Sequence, residues 1–227
     1  MLKRLIVAID GPAGSGKSTS AKLVAQKLGF LYIDTGAMYR AITFLAIKNN
    51  VLQNNDAIVT LAKNSGLDLE FINGETHVST NGLDITDKIR TQEVNLNVSD
   101  ISKIEGVRKA LVDRQRELAE KNNGVVMEGR DIGTVVFPNA DVKIFLTASI
   151  DERASRRTKE YEEKGVHISL EDIRANIQQR DKIDSTRDVS PLLKAPDAIE
   201  VDTSNISIQE QVDIILNLAQ QVIDKNI

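Results

Sequence analysis

Residues 5–9 form an unbroken apolar run in which Ile6, Val7 and Ile9 are β-branched, the pattern of a strand covered on both faces of a parallel sheet. A glycine-rich turn follows. From Ser18 to Leu28 the apolar positions Ala21, Leu23, Val24 and Leu28 recur at helical spacing, and Gly29 supplies a stop. Residues 31–33 predict a short second strand, and Thr35 is placed to cap a helix running through Tyr39, Ile42 and residues 45–47. The first fifty residues therefore read as strand, helix, strand, helix.

The texture then changes. After a short helix over residues 56–64, the segments 67–72, 76–80 and 83–85 alternate weakly and are divided by Asn73-Gly74 and Asn81-Gly82. Asn-Gly between such runs is the strongest short hairpin signal, so a small antiparallel insert is expected. Two helices are predicted over residues 90–101 and 105–121. Buried-strand runs return at 125–127 and 142–146. A highly charged helix should span 150–164, and another 170–180 with Leu170, Ile173 and Ile177 as its apolar positions. A last strand at 198–201 precedes a closing helix over 208–223, with Val212, Ile215, Leu216, Ala219 and Val222 on one face. Strands alternating with helices imply an α/β fold with a parallel sheet covered on both sides.

Composition narrows the chemistry. The 227 residues carry 29 Lys+Arg against 33 Asp+Glu, a formal net charge of −4, so the broad positive field needed for nucleic-acid binding is not expected. With 4% aromatic residues and no Trp, stacking platforms for single strands are scarce as well. No Cys is present, which excludes disulfides and thiolate metal sites, and the isolated His77 and His167 cannot build a zinc site. The apolar start ends at Asp10, too short for a signal peptide, and no run is long enough for a membrane span. A cytoplasmic setting without membrane contact is the expectation.

An anion partner must then be met locally. Gly11, Pro12, Ala13, Gly14, Ser15, Gly16, Lys17 and Ser18 fit G-x-x-x-x-G-K-[ST] between a buried strand and a helix, the context the motif requires. Glycines let successive backbone N–H groups turn inward, and the helix N-terminus adds partial positive charge, which together make a phosphate cradle. In that motif Lys17 reaches the β- and γ-phosphates and the Ser18 hydroxyl is a ligand of Mg²⁺; Thr19 follows in the helix. The motif specifies a nucleoside triphosphate and leaves the acceptor open: a phosphoryl-transfer enzyme, or a nucleotide-driven switch.

Arginine placement favours the enzyme. A kinase acting on a small molecule needs a second anion site facing the cradle, and no guanine-reading Asn-Lys-x-Asp sequence is present. Arg130 follows a buried strand at its C-terminal end, where sheets of this kind bind ligands, and Arg40 lies just beyond Asp34. Arg108, Arg180 and Arg187 add to the supply. Arg153, Arg156 and Arg157 share one helix face, where pairing with Glu152, Glu160 and Glu162 is the competing role. Asp34 suits either a helix cap or the orientation of metal-bound water. Asp181 and Asp184 suit holding Arg180 and Arg187.

The blocks 11–18, 34–40, 89–94, 107–108, 129–138 and 180–187 together resemble the bacterial cytidylate kinases, from the first strand into the last third of the chain. The Gly-Arg-Asp-x-Gly-Thr-Val-Val-Phe-Pro run and the terminal Arg/Asp block are more discriminating than the phosphate loop. The resemblance implies a P-loop NTPase-type, doubly wound parallel sheet in a single domain. Its core would be residues 1–62 and 103–227 with a helical lid near 150–190, and residues 63–102 would be a monophosphate-binding insert. It implies transfer of the ATP γ-phosphate to CMP or dCMP with Mg²⁺, by a monomer; a mixed UMP/CMP kinase is the neighbouring alternative. By the same resemblance Arg40, Arg130 and Arg187 bind the acceptor phosphate. Ser99, Arg108, Asp131 and Asp184 read cytosine or ribose, and Arg180 approaches the phosphates. Arg153 and Arg157 contact ATP, and Thr35 stands where relatives can carry Ser. Lys17, Arg130, Arg157 and Arg180 form the implied catalytic set.

Overall fold

The computed structural model describes residues 5–163 and 165–225. In chain order the elements are β1 (Leu5–Asp10), α1 (Lys17–Leu28), β2 (Leu31–Asp34), α2 (Thr35–Lys48), α3 (Asn55–Asn64), β3 (Leu67–Ile72), β4 (Glu75–Thr80) and β5 (Leu83–Asp84). They continue as α4 (Gln92–Ile101), α5 (Glu105–Glu120), β6 (Gly124–Gly129), β7 (Val142–Thr147), α6 (Ile150–Glu162), α7 (Leu170–Thr186), β8 (Ile199–Asp202) and α8 (Ile208–Lys225). A five-stranded parallel sheet has the order β2-β6-β1-β7-β8, and β3-β4-β5 form a separate antiparallel sheet.

Strand periodicity divides the interior in two. Along β1, Ala8 faces one core while Val7 and Ile9 face the other; along β6, Val125 and Met127 part from Val126 in the same way. This is the two-residue alternation of a strand buried on both sides. The first core takes Ile42, Ile58 and Leu111 from α2, α3 and α5, together with Leu67, Leu69 and Val78 of the antiparallel sheet. The second takes Val24 from α1 and Val212, Ile215 and Ala219 from α8. A third, small cluster joins α6 to α7 through Ala154, Ile173 and Ile177.

Both predicted hairpins form. Asn73 and Gly74 have φ of 52° and 83°, and Asn81 and Gly82 have 49° and 78°, the positive pairs that a two-residue turn of the I′ type requires. Arg114 of α5 ties this sheet to the core: its Nε donates to Leu67 O at 2.8 Å and its Nη2 to Asp68 at 3.1 Å.

Several expected boundaries move. Arg90 belongs to a 3₁₀ turn over Lys88–Arg90, and α4 begins only after Thr91, whose hydroxyl caps it by accepting from Val94 N. Helix α7 continues through Thr186, past the expected end at Arg180, and its Leu170 is 53% exposed because it lies in the first turn, away from the contact with α6. The cap of α2 is Asp34, which accepts from Ala37 N at 2.9 Å; Thr35, expected to cap it, instead donates its hydroxyl to Glu128 O at 2.7 Å. The charged helix α6 ends at Glu162, and the predicted last residue, Lys164, lies outside the described residues.

Candidate active site

Register brings the site together. Across the sheet Asp10 pairs with Gly129, and Asp34 pairs with Glu128. The phosphate loop after β1, the Arg130-Asp131 segment after β6 and the start of α2 therefore leave the sheet side by side at its carboxyl edge. The chain order reverses across β1, where open α/β sheets bind ligands.

The loop is built to receive an anion. Gly14 and Gly16 have φ of 77° and 89°, and Gly16 precedes α1 without a side-chain cap on the helix's orphan amides. A left-handed glycine beside a right-handed residue turns successive N–H groups to one side. Lys17 lies across the loop, its Nζ donating to Pro12 O at 2.6 Å and to Ser15 Oγ at 3.3 Å. Burial, reinforced by the Arg130 guanidinium, pulls the Lys17 ammonium down to about 7. A cation so poorly compensated gains strongly from a polyanion. The Ser18 hydroxyl lies beside the Glu128 carboxyl and favours its charged form.

Facing the loop is a group of guanidiniums only partly neutralised by carboxylates. Arg40 bonds Asp34 at 2.8 Å, Arg108 pairs with Asp131 inside the protein, and Asp184 accepts from Arg130 Nε at 2.7 Å with Arg187 at 3.8 Å. Burial would raise the Asp184 carboxyl, but Arg130 and Arg180 outweigh it and hold the group below its ordinary value. Burial, then Arg130, brings the Arg180 guanidinium down to about 10. Arg180 Nε, Arg187 Nη2 and Arg108 Nε are buried without a hydrogen-bond partner among the described residues. Buried orphan donors are rare because each costs ~1–3 kcal/mol. Arg180 alone among the five has no ion pair of its own among the described residues, so the group keeps a positive character suited to an anion.

Of the residues named from the sequence, Lys17, Arg40, Arg108, Arg130, Asp131, Arg180, Asp184 and Arg187 are linked in this network. Ser99 is half-buried on α4. Arg157 lies within electrostatic reach of Arg180 while bonding Glu160 at 2.7 Å and lying over the Tyr161 ring, the pairing that its charged helix also allowed. Arg153 donates to Ala13 O, Ala148 O and Asp181, and Arg156 to Glu152 and Thr203. Asp181 thus holds Arg153, and Asp184 holds Arg130 as well as Arg187; the expected Asp181–Arg180 pairing is replaced because α7 aims Asp181 at α6.

Two carboxylates escaped sequence reading. Asp10 ends β1 and accepts the N–H groups of Ile132 and Gly133 at 2.8 and 2.7 Å, fixing the wide helical turn Ile132–Val136 directly after Arg130-Asp131. Burial raises its carboxyl to about 6. Glu128 is the penultimate residue of β6 and accepts from the Tyr32 hydroxyl at 2.6 Å; burial first and Asp34 second raise its carboxyl. The available signal was a single acid at or beside the end of an otherwise uncharged strand. A separate cavity of about 520 Å³ lined by Ala62, Gly66, Arg114 and Glu117 contains none of these groups.

Comparison with known proteins agrees with the geometry. A profile described as cytidylate kinase matches residues 7–221. The chain is 51% identical over 227 residues to the cytidylate kinase of Bacillus licheniformis, covering 99% of this chain and 98% of the relative. It is likewise 51% identical over 222 residues to that of Bacillus subtilis, covering 97% and 99%. In fold it resembles an uncharacterized protein from Eubacterium ventriosum, with a TM-score of 0.50 at 14% identity over 96% of this chain and 99% of the other. A buried-strand phosphate loop, an opposed arginine group and half-identity along the full length converge on one conclusion: the chain belongs to the cytidylate kinase family.

Proposed function

We infer that this protein transfers the γ-phosphate of ATP to CMP or dCMP, giving CDP or dCDP and ADP. One observation carries the reading: the glycine loop with Lys17 and the Arg130 segment leave adjacent strands, and Arg40, Arg108, Arg180 and Arg187 gather from the helices beside Arg130, so two phosphate-bearing ligands would meet at one sheet edge. Family membership supplies the acceptor's identity.

The chemistry asks little covalent work of the protein. An acceptor phosphate oxygen attacks the γ-phosphorus, a new P–O bond forms, and the bond to the β-phosphate oxygen breaks with its electron pair leaving on ADP. The attacking group is already an anion, so no strong general base is required. Catalysis then rests on alignment and on neutralising charge as the phosphoryl group moves. Lys17 grips the donor side, Arg130 and Arg187 the acceptor phosphate, and Arg180, unpartnered at Nε, stands between them. By the family resemblance, Arg108 and Asp131, paired in the interior, would read cytosine, with Asp184, Ser99 and Thr35 assigned to the acceptor side. Asp10 and Glu128 position rather than react.

Mg²⁺ fits these residues in a limited way. Among the described residues no cluster of three His, Asp or Glu forms a metal cage, which suits an ion held mainly by phosphates, water and the Ser18 hydroxyl. The Ser18 hydroxyl would help hold it, and it would supply charge neutralisation for the donor's phosphates. We assign α6 and α7 to a lid, with Arg157 free to leave Glu160 for the phosphates, and residues 63–102 to the acceptor-binding insert. Among the described residues no helix is long and apolar enough to cross a membrane.

The deciding experiment follows ADP release with ATP and Mg²⁺ against CMP, dCMP, UMP and AMP separately. CMP and dCMP should stimulate release strongly and AMP not at all. Equal stimulation by UMP identifies a mixed pyrimidine kinase; release without any monophosphate overturns the assignment.

A further inference from the structure

The carbonyl oxygens of the phosphate loop are held from behind, and the holders are side chains from distant elements. Ala13 O accepts from Arg153 Nη1 at 3.1 Å, and Ser15 O accepts from Thr203 Oγ1 at 3.1 Å. Thr203 follows β8 and is fully buried, as is Ser15. Its hydroxyl has one proton for two carbonyls, since Thr147 O is also in reach at 2.9 Å. Thr147 O already receives the Thr203 backbone N–H at 2.8 Å. Ser15 O therefore has the greater need of the hydroxyl proton. Arg156 of α6 grips the same residue as a fork, Nη1 to Thr203 Oγ1 at 3.0 Å and Nη2 to Thr203 O at 2.6 Å.

Planar peptide geometry gives these anchors a consequence. In a trans peptide the N–H points opposite the preceding C=O. Pulling Ser15 O toward Thr203 turns the Gly16 N–H the other way, and pulling Ala13 O toward Arg153 does the same for the Gly14 N–H. These are the two glycines with φ of 89° and 77°, whose backbones would otherwise flip with little steric resistance. Close packing adds to the restraint: a Cβ on Gly14 would lie 3.1 Å from Arg153 Cβ, and one on Gly16 would lie 2.8 Å from Gln211 Oε1.

We propose that Thr203 and Arg153 are positioning residues of the phosphate loop, which fix the Gly16 and Gly14 amides toward the triphosphate and, with Arg156, tie that aim to helix α6. The proposal rests on the assignment of ATP to this loop and reaches beyond it. Arg153 acts from behind the loop on its backbone, and the closing charged helix and the loop's preorganisation become one mechanical unit. Preorganised amides bind an anion without first spending free energy on reorientation.

ATP binding is the test, measured at equilibrium on the full chain without any acceptor, so that a wrong acceptor assignment leaves the result intact. Thr203→Val should raise the Kd for ATP by about tenfold, the loss of roughly one hydrogen bond, while the Kd for CMP stays within twofold (~2) of wild type. Thr203→Ser should restore ATP affinity. In amide spectra of isotope-labelled protein, Thr203→Val should move the Gly16 resonance and leave Gly14, whereas Arg153→Lys should move Gly14. Arg156→Lys, which breaks the fork and keeps the hydroxyl, should displace Gly16 and weaken ATP binding less than Thr203→Val does. Unchanged ATP affinity in a folded Thr203→Val protein overturns the proposal. So does equal weakening of ATP and CMP with a lowered Tm, or failure of Thr203→Ser to rescue. If Thr203→Val does not fold, unmoved Gly16 resonance and wild-type ATP affinity in Arg156→Lys overturn it.

Discussion

Tyr32 donates its phenolic hydroxyl to Glu128 Oε1 over 2.6 Å, in the buried space between β2 and β6. The bond satisfies a carboxyl that lies beside Ser18 in the first turn of α1. Tyr32→Phe keeps the ring and its edge contact with Phe71 at 5.2 Å but leaves that carboxylate short of a donor. Unfolding stability should fall by ~1–3 kcal/mol, read as a lower urea midpoint at unchanged slope.

Lys17 gives a proton-coupled prediction. Its ammonium, brought down to about 7 by burial and Arg130, is largely deprotonated at pH 8 in the free protein. A bound polyphosphate restores the charge, so ATP binding at pH 8 should take up a proton. Calorimetry in two buffers of different ionisation enthalpy reads the uptake, and Lys17→Ala should abolish both the uptake and phosphoryl transfer. His77→Ala, on β4 of the antiparallel sheet, should leave transfer unchanged. Equal loss in the two variants refutes the assignment of the loop.

Asp10 reports through stability. Its folded carboxyl titrates near 6 instead of 3.8, because burial outweighs the Ile132 and Gly133 amides. The folded chain therefore holds this proton more tightly than the unfolded chain does. The group's contribution is fully present below pH 3.8 and is lost as pH rises through about 6, a decline of at most ~3 kcal/mol. Asp10→Asn should lack that slope when denaturation free energies are compared between pH 4 and 7, and should raise KM for CMP by loosening the turn after Arg130.

Arg130→Met should cut kcat/KM for CMP by about 10³-fold, the scale of losing a charged donor that faces the reacting phosphate. ATP binding in the absence of acceptor should change little. Arg130→Lys should recover only part of the activity, since Asp184 is met through Nε of a planar fork that an ammonium cannot reproduce.

Much of this was legible in the chain because the informative signals were local. The strand–glycine loop–helix unit, the two Asn-Gly hairpins and the arginine after β6 each depend on a few adjacent residues, and all occupy their expected places. What stayed hidden depends on register between distant strands. Asp10 and Glu128 gain meaning only once β1, β2 and β6 align, and neither carries a spacing that sets it apart. The partners of Arg153 and Arg156 were hidden for the same reason, because Ala13 and Thr203 lie 140 and 47 residues away along the chain. Thr35 shows the opposite error: two adjacent residues could each cap α2, and propensity could not tell that Asp34 wins while Thr35 turns to β6.

The apolar clusters also decide how the molecule comes apart. The antiparallel sheet shares its core with the main sheet, through Leu69 and Val78 against the same interior as Ile33 and Met127, so its protected amides should exchange with deuterium only when the whole chain unravels. Helices α6 and α7 share only a small apolar cluster of their own and reach the rest of the chain through the polar ties of Arg153, Arg156 and Asp184, so their amides should exchange before those of the sheet, through an opening that also loosens the phosphate loop. If α6 and α7 act as the proposed lid, mass-spectrometric exchange should find them slowed most when ATP is added.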